Sequence, residues 1–203
     1  MGELRAVLDR SRELGFLGPG PIEEQLAHAE AFVGALEPAG VRRAVDLGSG
    51  GGIPGLVLAV ALPDIQWLLL DGMVRRTTFL LEAVAALGLG DQVEVRTVRA
   101  EEAGRLPDLR GQHDLVVARG FGPPAVTAEC AAPLLAVGGQ LVVSEPPASS
   151  GDRWPHEGVA SVGLAFEALI PGPPTFVRLR QQAVTDPRYP RRVGVPAKRP
   201  LWS

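Results

Sequence analysis

Residues 46 to 55 read Asp46-Leu47-Gly48-Ser49-Gly50-Gly51-Gly52-Ile53-Pro54-Gly55. An apolar run, Ala44 to Leu47, leads into this stretch, and a helix-length apolar segment, Gly55 to Leu62, leads out of it. A strand that turns through glycines into a helix opening beside a proline is the first turn of a parallel strand-helix-strand unit. The pattern repeats downstream. Ile65 to Leu70, Val93 to Val98, Leu115 to Ala118 and Leu141 to Val143 read as strands, with Thr77 to Leu87 and Ala125 to Val137 as helices between them. Strands this apolar are covered on both faces, which requires a parallel, doubly wound sheet. Leu164 to Ile170 and Thr175 to Arg180 are joined only by Pro171-Gly172-Pro173-Pro174, too short for a crossover helix, so an antiparallel hairpin ends the sheet. Upstream, Leu4, Val7, Leu8 and Leu14 form one helical stripe stopped by Gly15, and Ile22, Leu26, Ala29, Val33 and Leu36 form a second after Pro21. The expected architecture is α/β, a doubly wound, seven-stranded, mainly parallel sheet with a C-terminal antiparallel hairpin. Residues 1–40 supply N-terminal helices, and residues 41–203 the sheet domain with a basic segment at 175–203.

A chain of 203 residues suits one core of ordinary size. Its 46% hydrophobic and 21% charged residues exclude a disordered chain. A single cysteine, Cys130, excludes an internal disulfide, and His28, His113 and His156 lack metal-ligand spacing, so no metal is expected. No apolar run approaches the roughly 18 residues of a membrane span, and nothing resembles a signal peptide. The expected location is the cytoplasm, with no membrane partner. The oligomeric state stays open, a monomer being the default. The net charge of -3 argues against a uniformly basic nucleic-acid binder, but it is unevenly spread. From Thr175 onward seven cations oppose one acid, Asp186, so that segment carries +6 and residues 1–174 carry -9. Arg188, Arg191, Arg192, Lys198 and Arg199 lie in a proline-punctuated tail and are candidates for phosphate contacts.

Two nucleotide chemistries compete for the glycine loop. Gly50, Gly52 and Gly55 satisfy a dinucleotide fingerprint, in which a helix N-terminus receives a pyrophosphate. Gly48, Gly50 and Gly52 instead follow Asp46, an acid that repels a pyrophosphate and suits the amino group and nearby sulfonium of S-adenosylmethionine. Asp46 favours the second cofactor. Asp71 ends the next strand, where a carboxylate can accept both ribose hydroxyl hydrogens, and Glu101 follows the third strand, where an adenine edge would lie.

These residues together resemble the RsmG/GidB family of 16S ribosomal RNA guanine-N7 methyltransferases. The resemblance rests on residues 46–55, on Leu70-Asp71 with Arg75-Arg76 and Phe79-Leu80, and on Tyr189-Pro190-Arg191-Arg192 with Gly194, Pro196, Lys198 and Pro200-Leu201. It implies a class I methyltransferase fold, with Gly48, Ile53, Ala100, Glu101 and Arg119 lining the S-adenosylmethionine pocket. It also implies that Arg119 acts as the catalytic residue facing the methyl, with small-subunit ribosomal RNA as partner. The chain departs from the family in two places. Ala27-His28 and Ala31 replace an Arg-His pair and a following Asp, and Ser144-Glu145-Pro146-Pro147 replaces a Lys-Gly after the fifth strand.

Guanine N7 has an exposed lone pair and no proton to lose, so its methylation needs positioning and no general base. The chain agrees in lacking a cysteine pair for carbon methylation. Gly122-Pro123-Pro124-Ala125 lacks the polar and aromatic residues of an exocyclic-amine methylase and reads as a loop and helix start. Three alternatives stay open: a methyltransferase of a small metabolite, a non-catalytic cofactor-binding relative, and a dehydrogenase using Gly50, Gly52 and Gly55.

Overall fold

The computed structural model describes residues 2–203. In chain order the elements are α1 (Gly2–Glu13), α2 (Ile22–Ala35), β1 (Arg43–Leu47), α3 (Gly55–Ala61), β2 (Gln66–Asp71), α4 (Val74–Ala86) and β3 (Val93–Thr97). They continue with α5 (Ala100–Ala103), β4 (His113–Ala118), α6 (Pro124–Ala131), a 3-10 turn (Ala132–Leu134) and β5 (Leu135–Glu145). Last come α7 (His156–Ala160), β6 (Leu164–Ile170), β7 (Thr175–Gln181) and α8 (Val195–Lys198). One seven-stranded sheet runs β3-β2-β1-β4-β5-β7-β6, parallel except for β7, which is antiparallel to both of its neighbours.

Alternation along the strands separates two cores. On β4, Leu115 and Val117 face a cluster with Leu8 of α1, Phe32 of α2, Leu56 of α3 and Phe79 of α4. Val116 and Ala118 face the other way, toward Ala103 of α5, Ala128 of α6, Val159 of α7 and Tyr189. All are buried, as expected for strands covered on both sides. Phe32 meets Phe176 of β7 edge to face at 4.5 Å, which pins α2 to the sheet beside the strand that reverses direction.

One helix expected from sequence is shorter. Ala125 to Val137 divides at Ala131, because Pro133 cannot donate a helical hydrogen bond, and Leu135 already belongs to a strand much longer than Leu141 to Val143. A register shift between His113 and Leu115 lets the extended β5 stay paired with β4.

The tail after β7 is a strap across the second face. Arg110 donates to the carbonyls of Gly104, Thr185, Asp186 and Tyr189 at 2.7 to 3.2 Å. Arg191 grips Glu129 of α6 through its backbone N–H, Nε and Nη2 at 2.8, 2.8 and 2.6 Å, and Glu129 is fully buried. This corrects the expectation that Arg191 serves RNA, since a guanidinium engaged at two nitrogens with a buried carboxylate is committed to the fold. Arg178 and Arg180 are likewise tied to Glu37 and Glu167. Arg188, Arg192, Lys198 and Arg199 are exposed. Arg188 lies 3.7 Å from Asp186 and over the Tyr189 ring.

Arg191→Ala strands the Glu129 charge in the core. It should cost about 3 kcal/mol of unfolding free energy, read from urea denaturation, whereas Arg192→Ala should leave the midpoint unchanged.

Candidate active site

The glycine loop and the polar groups that follow it along the sheet sit at the C-terminal ends of the parallel strands, where open sheets bind ligands. The glycine loop leaves β1, Asp71 ends β2, Ala100 and Glu101 open α5 after β3, Arg119 follows β4 and Glu145 ends β5. A cavity of about 540 Å³ lies at the opposite ends of the strands among Arg43, Gln66, Trp67 and His113, away from all of these groups.

Three smaller chambers line the C-terminal rim. One of about 250 Å³ is walled by Gly48, Ser49, Gly50, Gly51, Ile53, Gln25, Arg76 and Arg119. The next, about 300 Å³, contains Asp71, Met73, Arg99, Ala100, Glu101 and Phe121, and shares Gly48, Arg76 and Gly120 with the first. The third, about 360 Å³, opens between Phe121, Thr127, Val143, Ser144, Glu145, Pro146 and Arg153, and shares Arg119 and Gly120 with the first.

The loop is held from two sides. The Gly50 N–H donates to Asp71 Oδ2 at 3.0 Å and the Met73 N–H to Oδ1 at 2.8 Å, while Arg76 Nη1 lies 3.5 Å from Oδ2. Two acceptor oxygens offer about four lone-pair sites, so one remains for a ligand hydroxyl. Gly48 has φ +74°, and a Cβ there would lie 2.6 Å from the Phe121 ring; only glycine satisfies both conditions. Ser11 Oγ of α1 donates to the Gly51 carbonyl at 2.9 Å, so the N-terminal segment packs directly on the loop.

Asp46 requires a correction. Strand alternation turns its side chain to the face of Ala44, beneath the loop, where Oδ2 accepts the Gly55 N–H at 3.0 Å. The residue is 1% exposed and lines none of the three chambers. It anchors the loop and is not placed to meet a ligand's amino group. Burial pushes its pKa up to about 7 against the opposing pull of the Gly55 N–H and Ser49.

Gly48, Gly50, Ile53, Asp71, Ala100, Glu101 and Arg119 all line the chambers. Gly52, expected to meet the cofactor, lines none of the three chambers; its φ of +90° and packing against Leu56 make it part of the turn. Glu101 Oε1 also accepts the Gly194 N–H at 2.9 Å, which joins the strap to the second chamber. Arg119 stands where the first and third chambers meet, and its Nη2 donates to Gln25 Oε1 of α2 at 2.5 Å. His28 is hydrogen-bonded to Ser144 Oγ at 2.7 Å, and burial followed by the charge of Arg119 draws its pKa down to about 4, so the ring is neutral at pH 7. His113 Nδ1 lies 3.2 Å from the Leu134 carbonyl and Cys130 is buried, its thiol pKa raised by burial. Among the described residues no group of three or more His, Cys, Asp or Glu could hold a metal ion, and no helix is long and apolar enough to cross a membrane.

Gln25, Arg153 and Phe16–Leu17 escaped the sequence reading because they reach the rim from elements far away in the chain. Arg76 belongs to the Arg75-Arg76 pair after Asp71 but had no assigned role, and Phe121, two residues after Arg119, carried no local signal. Glu145 is almost fully buried and pairs with Arg153.

The strand order, the glycine loop and the acid ending the second strand define a class I methyltransferase fold. The 16S rRNA N2 methyltransferase RsmC of T. thermophilus, solved with AdoMet and guanosine, shares that fold at TM-score 0.53 and 22% identity, over 78% of this chain and 39% of the other. The chain belongs to the GidB family, rRNA small subunit methyltransferase G, which it matches over residues 23–146. It is 37% identical over 174 residues to the ribosomal RNA small subunit methyltransferase G of a Synechococcus species, covering 79% of this chain and 66% of that protein. It is 35% identical over 197 residues to the Prochlorococcus marinus protein of the same name, covering 90% and 74%.

The raised pKa of Asp46 sets a pH signature. Between its ordinary 3.8 and about 7, the unfolded chain releases this proton while the folded chain keeps it, so stability falls as pH rises through that window. Asp46→Asn, which can still accept the Gly55 N–H, should raise the melting temperature relative to the parent more at pH 8 than at pH 5. Equal differences at both pH values would show that Asp46 is ionised in the folded protein.

Proposed function

We propose that this protein transfers a methyl group from S-adenosylmethionine to N7 of a guanine in small-subunit ribosomal RNA, in the cytoplasm. The observation that carries this reading is the continuity of the three chambers through Gly48, Gly120, Phe121 and Arg119. The glycine loop and Asp71 form a cradle suited to an adenosine and an amino-acid tail, and the third chamber leaves a separate entrance for an acceptor. S-Adenosylmethionine, when bound, supplies a methyl group activated by a sulfonium.

The residues at the junction agree with an acceptor that needs no deprotonation. They are a guanidinium, hydroxyls and an aromatic ring, and the one carboxylate, Glu145, is engaged by Arg153 and Ser149. Asp71, held by two backbone N–H groups, would accept a ribose hydroxyl, and Ala100 and Glu101 would border the adenine. Arg76 and the loop N–H groups suit the carboxylate of the amino-acid tail. Methylation at N7 leaves the guanine ring positive, so a second positive charge at Arg119 does not stabilise the product electrostatically. Its contribution is orientation: donating to the guanine O6 would hold N7 in line, and Gln25 sets the guanidinium for that task. The exposed Arg188, Arg192, Lys198 and Arg199 lie on the strap that joins Glu101 at the second chamber, which suits a flanking RNA backbone.

Titration with S-adenosylhomocysteine should give a measurable heat that Asp71→Ala weakens about ten-fold or more, by losing ribose contacts and releasing the loop. Arg119→Ala should leave that affinity within about three-fold and lower kcat by roughly 100-fold through misplacement of the acceptor. Mass spectrometry of 16S ribosomal RNA from a deletion strain should show one guanine without its methyl. An unchanged methylation map, with cofactor turnover on a small molecule, would favour the metabolite enzyme instead.

A further inference from the structure

We infer that Arg153, held in place by the buried Glu145, is an additional phosphate-binding residue of the acceptor chamber. This rests on the proposed RNA substrate and assigns a contact within it.

Glu145 ends β5 with its side chain 2% exposed. Ser149 Oγ donates to its Oε2 at 2.7 Å, and Arg153 Nη1 donates to Oε1 and Oε2 at 3.2 and 3.1 Å. The arginine side chain is 47% exposed. Among the described residues, Nε and Nη2 of Arg153 meet no acceptor, so the pair uses one of three nitrogens and leaves a fork of donors open. Both residues line the chamber that Arg119 joins to the cofactor loop. The backbone is fixed as well. Trp202 Nε1 donates to the Arg153 carbonyl at 3.0 Å, and the neighbouring Trp154 is buried, its backbone N–H donating to Gly151 O at 3.0 Å.

A planar guanidinium anchored at one nitrogen has little rotamer freedom left to lose, and its open edge matches two oxygens of a phosphate. The base edge is the other arginine target in nucleic acids, but that edge of guanine includes N7, which must stay free to accept the methyl. A phosphate beside the target nucleotide is therefore the fitting ligand. Glu145 is a positioning residue. Its own charge opposes RNA, so its value lies in aiming Arg153.

This separates geometry from net charge. RNA binding is measured by fluorescence anisotropy on small-subunit ribosomal RNA from a deletion strain, across a salt series, with S-adenosylhomocysteine affinity and melting temperature as controls. Arg153→Ala should weaken RNA binding about ten-fold and reduce the slope of log affinity against log salt by about one, with cofactor affinity unchanged. Arg153→Lys should recover the slope but only part of the affinity. Glu145→Gln removes a negative charge beside RNA, which by charge alone would tighten binding; loss of aim should instead weaken it. Arg153→Ala with parental affinity and slope, or Glu145→Gln with tighter binding, would overturn the assignment while leaving the RNA substrate standing. A parent protein that binds cofactor but no RNA would overturn the substrate reading and this contact with it.

Discussion

A carboxylate buried at the end of β1 governs the geometry of the site. Asp46 accepts the Gly55 N–H from beneath the loop, and Asp71 accepts the Gly50 N–H from the side, so the turn between β1 and α3 hangs between two acids. A run rich in glycine loses much conformational entropy on ordering. Two directed hydrogen bonds and the close packing of Phe121 offset that loss. The position of Gly48 in turn sets the partition between the first two chambers, and Phe121, packed on Gly48, joins the second to the third. A small relaxation at Asp46 would therefore reach all three.

Much of this was legible in the chain. β2 and β4 follow from apolar runs, because a strand covered on both faces has few polar positions to blur its ends; β1 is interrupted only by Asp46, and the edge strand β3 alternates, with Glu94 and Arg96 among its valines. Gly48, Asp71 and Glu101 are legible for a related reason: each lies at or just past the end of a strand, and parallel strands bring their ends together, whereas Ala100 and Arg119 were implied only by the family resemblance. Asp46 was misjudged because proximity to a strand end says nothing about which face a side chain takes, and alternation sends it under the loop. Helices α5, α7 and α8 span only four or five residues and have no period to read. Gln25 and Arg153 reach the rim through tertiary packing alone, which no local pattern encodes.

The charge distribution also changes meaning in three dimensions. Of the seven cations after Thr175, Arg178, Arg180 and Arg191 neutralise acids within the fold, so the basic character of the tail is smaller than its composition implies. The exposed remainder sits on a strap already docked by Arg110, Glu129 and Glu101. These cations are presented on an ordered surface, which avoids the entropic cost of ordering a free tail on binding.

The strap also dictates an order of events during biosynthesis. Glu101 waits for a partner 93 residues later, Arg110 for one 79 residues later and Glu129 for one 62 residues later. The N-terminal part of the chain can begin to condense while synthesis continues, but the second face keeps an unpaired carboxylate in α6 until residue 191 has been made. Contacts this distant in sequence form slowly, because loop closure must precede any gain. The contact that ties the second chamber to the strap at Glu101 thus forms only after β7 has been made, and the sheet has all its strands before that chamber is closed off.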